Sequence, residues 1–127
     1  MIKEISVRTK ERNEFVDVTE SINEIAKQGN REMVTVLVPH TTAGITINEG
    51  ADPDVQQDIL QKLEEIIPED RNFRHSEGNS DAHIKTSLMG NTLNLIVQDK
   101  EIVLGRWQKI FFCEFDGPRQ RKIIVKI

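Results

Sequence analysis

Two of the three histidines in this chain, His75 and His83, fall in one polar stretch, Arg74-His75-Ser76-Glu77-Gly78-Asn79-Ser80-Asp81-Ala82-His83-Ile84-Lys85. The third, His40, lies in Pro39-His40-Thr41-Thr42-Ala43-Gly44, directly after an apolar run. Both surroundings are rich in turn-forming residues. Imidazole titrates near neutrality, so it can carry protons, and its neutral form is a common ligand of divalent metals. Three imidazoles converging from separate elements would give the three-ligand arrangement of a catalytic zinc or similar ion, with the fourth position left for water or substrate. The same residues also fit general acid/base work without a metal, or simple hydrogen bonding at the surface. No tight two- or four-residue ligand spacing selects among these readings.

Other groups could complete such a site. Thr41 and Thr42 offer hydroxyls beside His40, although threonine is also an ordinary turn residue. Asp81 could orient an imidazole through a hydrogen bond, or be a first-turn acid favoured by the helix dipole. Asn48 and Glu49 follow His40 closely, and Glu77, Glu114 and Asp116 are further acids in the same pattern. Arg119 and Arg121, after Gly117-Pro118, could grip a phosphate bidentately or form a solvated basic turn. Lys85 adds another positive charge. Trp107 could wall a pocket or pack in a core, and the single Cys113 reads as a core residue.

The elements that must position these groups follow from periodicity. Residues 2–8 alternate as a strand and residues 14–18 form a partner strand. Thr19 reads as the N-cap of a short helix ended by Gly29. Met33 to Val38 is a β-branched run, and Gly44 to Asn48 is a second strand, which puts His40 in the turn between them. Asp52-Pro53 starts a helix whose stripe of Val55, Ile59, Leu60, Leu63, Ile66 and Ile67 runs to Pro68. Residues 68–79 form a loop of the length that often carries function, with His75 inside it. Ser80 caps a helix to about Met89, closed by Gly90-Asn91, with His83 and Ser87 on one face and Ile84 and Leu88 turned to the core. Strands follow at 92–97, 102–104, 109–116 and 121–127. The strand at 109–116 is apolar on both faces early on, which requires a second packed layer or an interface. The pattern predicts one α+β domain over residues 1–127: a mostly antiparallel β sandwich or barrel-like core with about three helices packed outside.

A chain of 127 residues with 37% hydrophobic and 30% charged residues can bury an ordinary core as one domain. The net charge of -4 argues against nucleic acid as a partner. No apolar run approaches a membrane span, and the alternating N-terminus has no secretory pattern, so a cytoplasmic location is expected. Charge is uneven: residues 49–70 hold eight acids against Lys62 alone, while residues 101–127 hold six Lys or Arg against three acids. This asymmetry could pair subunits or attract an anionic small molecule, or mark two independent solvated faces.

The ordered set His40-Thr41-Thr42-Ala43-Gly44-Ile45, Asn48-Glu49, His75, Asn79-Ser80-Asp81-Ala82-His83-Ile84-Lys85, Gly105-Arg106-Trp107-Gln108 and Glu114-Phe115-Asp116-Gly117-Pro118-Arg119 resembles the YjbQ-type secondary thiamine-phosphate synthase family over nearly the whole chain. One departure is Glu49-Gly50-Ala51-Asp52-Pro53, where that family is commonly less acidic and reaches proline sooner. The resemblance implies a β-rich α+β fold assembled as a homotrimer, with a site near subunit boundaries built from His40, His75 and His83 and with Asn48, Glu49 and Asp81 as polar neighbours. The implied activity joins a pyrimidine pyrophosphate to a thiazole phosphate and releases pyrophosphate. On this basis His40, His83 and Asp81 are the expected catalytic residues. Thr41, Thr42, Asn48, Glu49, Lys85 and Arg119 are expected to bind the phosphorylated small-molecule substrate, and His40, His75 and His83 to hold a zinc or magnesium ion. A binding module for a phosphorylated metabolite and a metal-dependent phosphate-ester hydrolase are the alternatives.

Overall fold

The computed structural model describes residues Met1–Ile127. Eleven elements follow one another: β1 (Ile2–Arg8), β2 (Glu14–Asp17), α1 (Thr19–Ala26), β3 (Met33–Leu37), β4 (Ala43–Glu49), α2 (Pro53–Ile66), α3 (Ser80–Met89), β5 (Thr92–Gln98), β6 (Glu101–Ile102), β7 (Gln108–Glu114) and β8 (Gln120–Lys126). The strands form two curled antiparallel sheets, one of five strands in the order β1-β8-β3-β5-β6 and one of three in the order β2-β7-β4. Together they make the half-barrel core of an α+β fold.

Alternation along each strand decides which face meets which layer. Val34 and Val36 of β3, Leu95 and Val97 of β5, and Ile123 and Val125 of β8 turn inward from the large sheet. They meet Ile45, Ile110 and Phe112 from the small sheet, with Ile22, Ile25 and Ala26 of α1 closing one side. Full burial of one such side chain contributes about 2 kcal/mol. The opposite face of β7 carries Phe111, Cys113 and Phe115, which pack on Ala82 of α3 and on the partly buried Leu63 of α2 and Met89 of α3. The doubly apolar sequence of β7 is therefore satisfied by two layers, the large sheet on one side and helices on the other.

Local signals mostly act where expected, with instructive exceptions. Helix α1 begins after Val18, not with Thr19 as its cap. The Asp17 carboxylate accepts from both the backbone N–H and the hydroxyl of Thr19, at 3.0 and 2.7 Å, which leaves the Thr19 hydroxyl oxygen to accept from the Ile110 N–H. Ser80 is likewise the first residue of α3, and its N-cap, Asn79, makes no capping bond. The Asn79 amide donates to Asp116 instead. Ile84 and Leu88, expected in the core, are 38% and 66% exposed. The face of α3 that turns inward carries Asp81, Ala82, Lys85 and Thr86.

Two features bring α3 to the loop after β3. The Ile45 N–H donates to the Gly90 carbonyl at 3.0 Å, and the Val38 N–H donates to the Asn91 carbonyl at 2.8 Å, so the chain leaving α3 is stitched between the ends of β3 and β4. Gly44 permits this approach, because a Cβ there would collide with the Gly90 carbonyl oxygen.

A buried ion pair joins the two sheets. Arg121 of β8 donates to both carboxylate oxygens of Glu114 of β7, at 2.9 and 2.5 Å, and both side chains are sealed from solvent. The same carboxylate accepts from the Thr9 hydroxyl and from the backbone N–H groups of Phe115 and Asp116. Burial alone would raise the Glu114 pKa, but the bonds from Arg121, Asp116 and Thr9 and the Arg121 charge outweigh it and hold the pKa below the ordinary glutamate range. The stabilisation is therefore fully present only above the ordinary glutamate value of about 4.3 and is lost as pH falls below it through the depressed folded-state value.

Two outcomes follow. Gly44→Ala should lower stability by about 1–3 kcal/mol in urea unfolding, through displacement of the α3 exit. Glu114→Gln should cost about 3–5 kcal/mol near pH 7 and flatten the decline of stability in acid, since it leaves a buried guanidinium without its countercharge. A neutral-pH loss below 1 kcal/mol would contradict the structural role of the pair.

Candidate functional site

His40, His75 and His83 converge. They line one open cleft of about 690 Å³, together with Thr41, Thr42, Glu77, Asn79, Asn91, Arg119 and Arg121, and only two of its thirteen lining residues are hydrophobic. Two chain segments that are distant in sequence supply the imidazoles, the loop after β3 and the stretch leading into α3.

The placement of His40 follows from where a ladder stops. The pairing of β3 with β8 ends at Leu37↔Ile124, and Pro39 then turns the chain away. The Lys122 N–H, beyond the last paired position, is taken by His40 Nε2 at 3.1 Å. An accepting Nε2 has its lone pair engaged, so in this geometry the neutral ring carries its proton on Nδ1. Burial first, and the charge of nearby Arg121 second, lower the His40 pKa below the ordinary histidine value.

His83 stands on α3 and His75 in the loop that precedes it. Their rings meet edge to face, with centroids 5.4 Å apart and planes at 89°. Glu77 Oε2 lies 3.9 Å from His75 Nε2, a charge contact without hydrogen-bond length. The Ser87 hydroxyl donates to the His83 carbonyl at 3.0 Å, not to its ring.

Positive charge reaches the cleft from Arg119, while Arg121, paired with Glu114, forms part of its wall. Arg119 is about half exposed and is steadied by Asp116, through the carbonyl at 2.9 Å and the carboxylate at 3.0 Å. The Arg121 guanidinium, beyond its pair with Glu114, donates to the Thr42 hydroxyl at 2.8 Å and to the Thr42 carbonyl at 3.3 Å. Thr42 thus braces Arg121, and Thr41 is the exposed hydroxyl of the pair.

Several expected site residues lie elsewhere. Asn48 and Glu49 sit at the far end of β4, paired with Lys109 and Gln108, whereas the cleft lies at the Ala43↔Glu114 end. Six residue steps along the strand, about 20 Å, separate the two ends. Glu49 accepts from the Ala51 N–H and shapes the turn into α2. Asp81 is fully buried and makes no contact with an imidazole. It binds Arg12 in a bidentate pair, at 3.0 and 3.2 Å, and faces Lys85 at 3.6 Å. Lys85 is 1% exposed and bonds Glu64 of α2 at 2.6 Å, so it is out of reach of a ligand in the cleft. On a short helix, charge alone cannot reveal which face is inward. Trp107 is 56% exposed with Arg106 over its ring, and it neither walls the cleft nor packs in the core.

Asn91 was not expected in the site. It follows Gly90, and Gly-Asn at that position reads only as a helix stop. Asn79, whose Oδ1 is buried without a partner, lines the same wall.

The donors do not make a metal ligand set in this arrangement. No group of three or more His, Cys, Asp or Glu has ligating geometry. The His40 lone pair is engaged by Lys122, so binding a cation there would require giving up that bond. What the cleft offers is a set of N–H and O–H donors with two guanidinium groups, which suits an anion with several oxygen atoms.

Asp81→Asn should therefore act as a stability variant. Burial would raise the Asp81 pKa, but the hydrogen bond and charge of Arg12, with Lys85 and the Ala82 N–H, lower it, so its contribution is intact above about pH 4 and fades in acid. Loss of about 3 kcal/mol near pH 7 is expected in denaturant unfolding. Nitrogen-detected NMR should find His40 as the Nδ1–H tautomer, titrating below about 6.5; a midpoint above that value would contradict the assigned geometry.

Residues 3–127 match the family model described as "UPF0047 protein YjbQ-like". The chain is similar to the UPF0047 protein MJ1081 of Methanocaldococcus jannaschii, at 50% identity over 100% of this chain and 94% of that one. It is also similar to the UPF0047 protein YugU of Bacillus subtilis, at 42% identity over 100% and 98%. A crystal structure of an uncharacterized conserved protein of the yjbq/upf0047 family from Clostridium acetobutylicum superimposes with a TM-score of 0.95 at 47% identity, covering 98% of each chain. Near-complete coverage in both directions means that the histidine cleft falls inside the shared region, and the chain belongs to the YjbQ/UPF0047 family.

Proposed function

We propose that the cleft binds phosphorylated small molecules and acts as a thiamine-phosphate synthase-type transferase. The observation that carries this reading is the convergence of three imidazoles and two arginines in one open polar cleft. A ring nitrogen of the thiazole phosphate attacks the methylene carbon of the pyrimidine pyrophosphate, a C–N bond forms, and the C–O bond breaks with its electron pair going to the departing pyrophosphate. The new ring bears the positive charge and pyrophosphate takes the negative charge. Catalysis then consists of positioning the two rings and stabilising charge on the leaving oxygen.

This chain's residues suit those tasks. Arg119 meets phosphate oxygens, with Arg121 held in the wall behind it by Glu114. The Nδ1–H of His40 is the donor left by its bond to Lys122, and His83 donates to the leaving oxygen in this reading. No covalent nucleophile is required, and Cys113 is fully buried with its thiol pKa pushed far up by burial.

The assembly proposed is a homotrimer working in the cytoplasm. Support comes from the outer face of the five-stranded sheet, where Met33 and Ile96 stand opposite each other, 57% and 64% exposed, with Leu37 further along the same face of β3. Large apolar groups exposed on a sheet face favour a contact with another chain. Leu37 also lines the cleft, which would set the site at a subunit boundary. No helix is long and apolar enough to cross a membrane.

The test is thiamine phosphate formation from the two phosphorylated precursors, with and without added magnesium or zinc ion. Wild type should turn over, His83→Ala should lose about 100-fold or more in rate while remaining folded, and Arg119→Gln should raise KM for the pyrophosphate substrate. An identical trace rate in all three proteins would remove the transferase reading. Light scattering at micromolar concentration should give a mass near three chains; a monomer would remove the trimer.

A further inference from the structure

Asn48-Glu49 and Gly105-Arg106-Trp107-Gln108 lie together at the end of the small sheet remote from the cleft, where Glu49 of β4 pairs with Gln108 of β7. Their turn is stiffly built. The Gly50 N–H donates to the Trp107 carbonyl at 2.8 Å, the Gly105 N–H to the Gln108 side-chain carbonyl at 2.7 Å, and the Gln108 N–H to the Gly105 carbonyl at 3.1 Å. Its largest side chains are nevertheless left in solvent: Trp107 is 56% exposed, and the Arg106 guanidinium lies 4.7 Å over its ring. A pre-ordered indole held in water forgoes the burial that would stabilise a single chain, and Trp with Arg is the pair most enriched among interface anchors.

This tip continues the outer face of the five-stranded sheet. Val97 pairs with Ile102, and the Val103 N–H then donates to the Ile96 carbonyl at 2.8 Å, so Val103, 49% exposed, shares the face on which Met33 stands opposite Ile96. That apolar row stops two residues short of Gly105. At another corner of the same face, Leu37 borders the cleft. One surface therefore has the tip at one border and the cleft at the other. The cleft is the complementary half: its apolar lining is Leu37 and Val38 alone, and it has no aromatic side chain besides its histidines, whereas small-molecule sites ordinarily enclose the ligand between apolar and aromatic walls. Its open side carries the exposed Glu77 and the outer oxygens of any anion held by Arg119, both of which attract a cation such as Arg106.

We propose that a second copy of this chain closes the cleft: the tip of one protomer enters the cleft of the next, where Trp107 supplies the missing aromatic wall and Arg106 a further guanidinium for the bound anion. In a closed ring of three the contact is heterologous, so one region of each chain meets a different region of its neighbour. Every tip and every cleft is then used. The inference rests on the homotrimer and the anion site proposed above, and it makes each site the product of two chains.

Trp107 is the only tryptophan in the chain, and the cleft of its own protomer lies about 20 Å away along β4, so its fluorescence reports on the neighbour's site. At a concentration where light scattering gives three chains, acrylamide should quench Trp107 at least about threefold less than in the urea-unfolded chain, and inorganic pyrophosphate should shift the emission with the dissociation constant it shows at the imidazoles. Arg106→Gln and Arg119→Gln should each weaken pyrophosphate about tenfold in calorimetry. Co-expressed and assembled together, the two variants should recover wild-type affinity in about one site in four, because random rings bring an intact cleft and an intact tip together that often. A trimer whose Trp107 is as quenchable as in the unfolded chain, an Arg106→Gln that binds pyrophosphate as wild type does, or mixed rings with no recovered sites overturns the inference and leaves the trimer and the anion site standing. A monomer, or pyrophosphate that moves neither the imidazoles nor the indole, overturns it together with the reading on which it rests.

Discussion

The buried pair between Arg121 and Glu114 is the constraint on which the rest of this protein depends. Two opposite charges have been taken out of water at the junction of the two sheets, and such a pair persists only if the remaining lone pairs and protons are also satisfied. Here they are: Glu114 receives Thr9 and two backbone N–H groups, and Arg121 reaches Thr42. Each of those partners belongs to a loop or strand end on one side of the molecule. Satisfying the ion pair therefore fixes the loops after β1, β3 and β7 in mutual position. The loop after β3 carries His40, and the one after β7 carries Arg119. The cleft is a geometric consequence of keeping that pair dry, and the same guanidinium forms part of its wall.

A second network sets the remaining wall. Arg12, Asp81, Lys85 and Glu64 tie the loop after β1, α3 and α2 together across the inward face of α3. α2 has no fully buried side chain, so the contact between Lys85 and Glu64 and the partly buried Leu63 carry much of its attachment. With the polar face of α3 turned inward, His83 is rotated toward the cleft and Ile84 and Leu88 are left outside. Energetically this is an unusual helix, since it docks through charge pairs where most amphipathic helices dock through an apolar stripe.

That arrangement explains what the sequence could reveal. The two-layer burial of β7 was readable, because Phe111, Cys113 and Phe115 alternate with Ile110 and Phe112 and both faces demand cover. The convergence of the histidines was readable as a possibility, since each sits where a turn or helix start interrupts an element. The orientation of α3 was not, as its apolar residues define no stripe and its charges find partners as distant as Arg12. Asp81 and Lys85 consequently read as site residues when they are struts. Asn48 and Glu49 read as neighbours of His40, but the extended chain of β4 carries them to the other end of the small sheet. The role of Asn91 depended on a stitch between its carbonyl and Val38, a long-range contact that no local pattern encodes.

The central claim is that the three histidines and two arginines form one anion site, and the most direct measurement is an NMR titration of the imidazole resonances with inorganic pyrophosphate. The account predicts saturable shifts at His40, His75 and His83 with a common dissociation constant that weakens as salt is raised. Shifts confined to one ring, or a linear response without saturation to millimolar ligand, would contradict it.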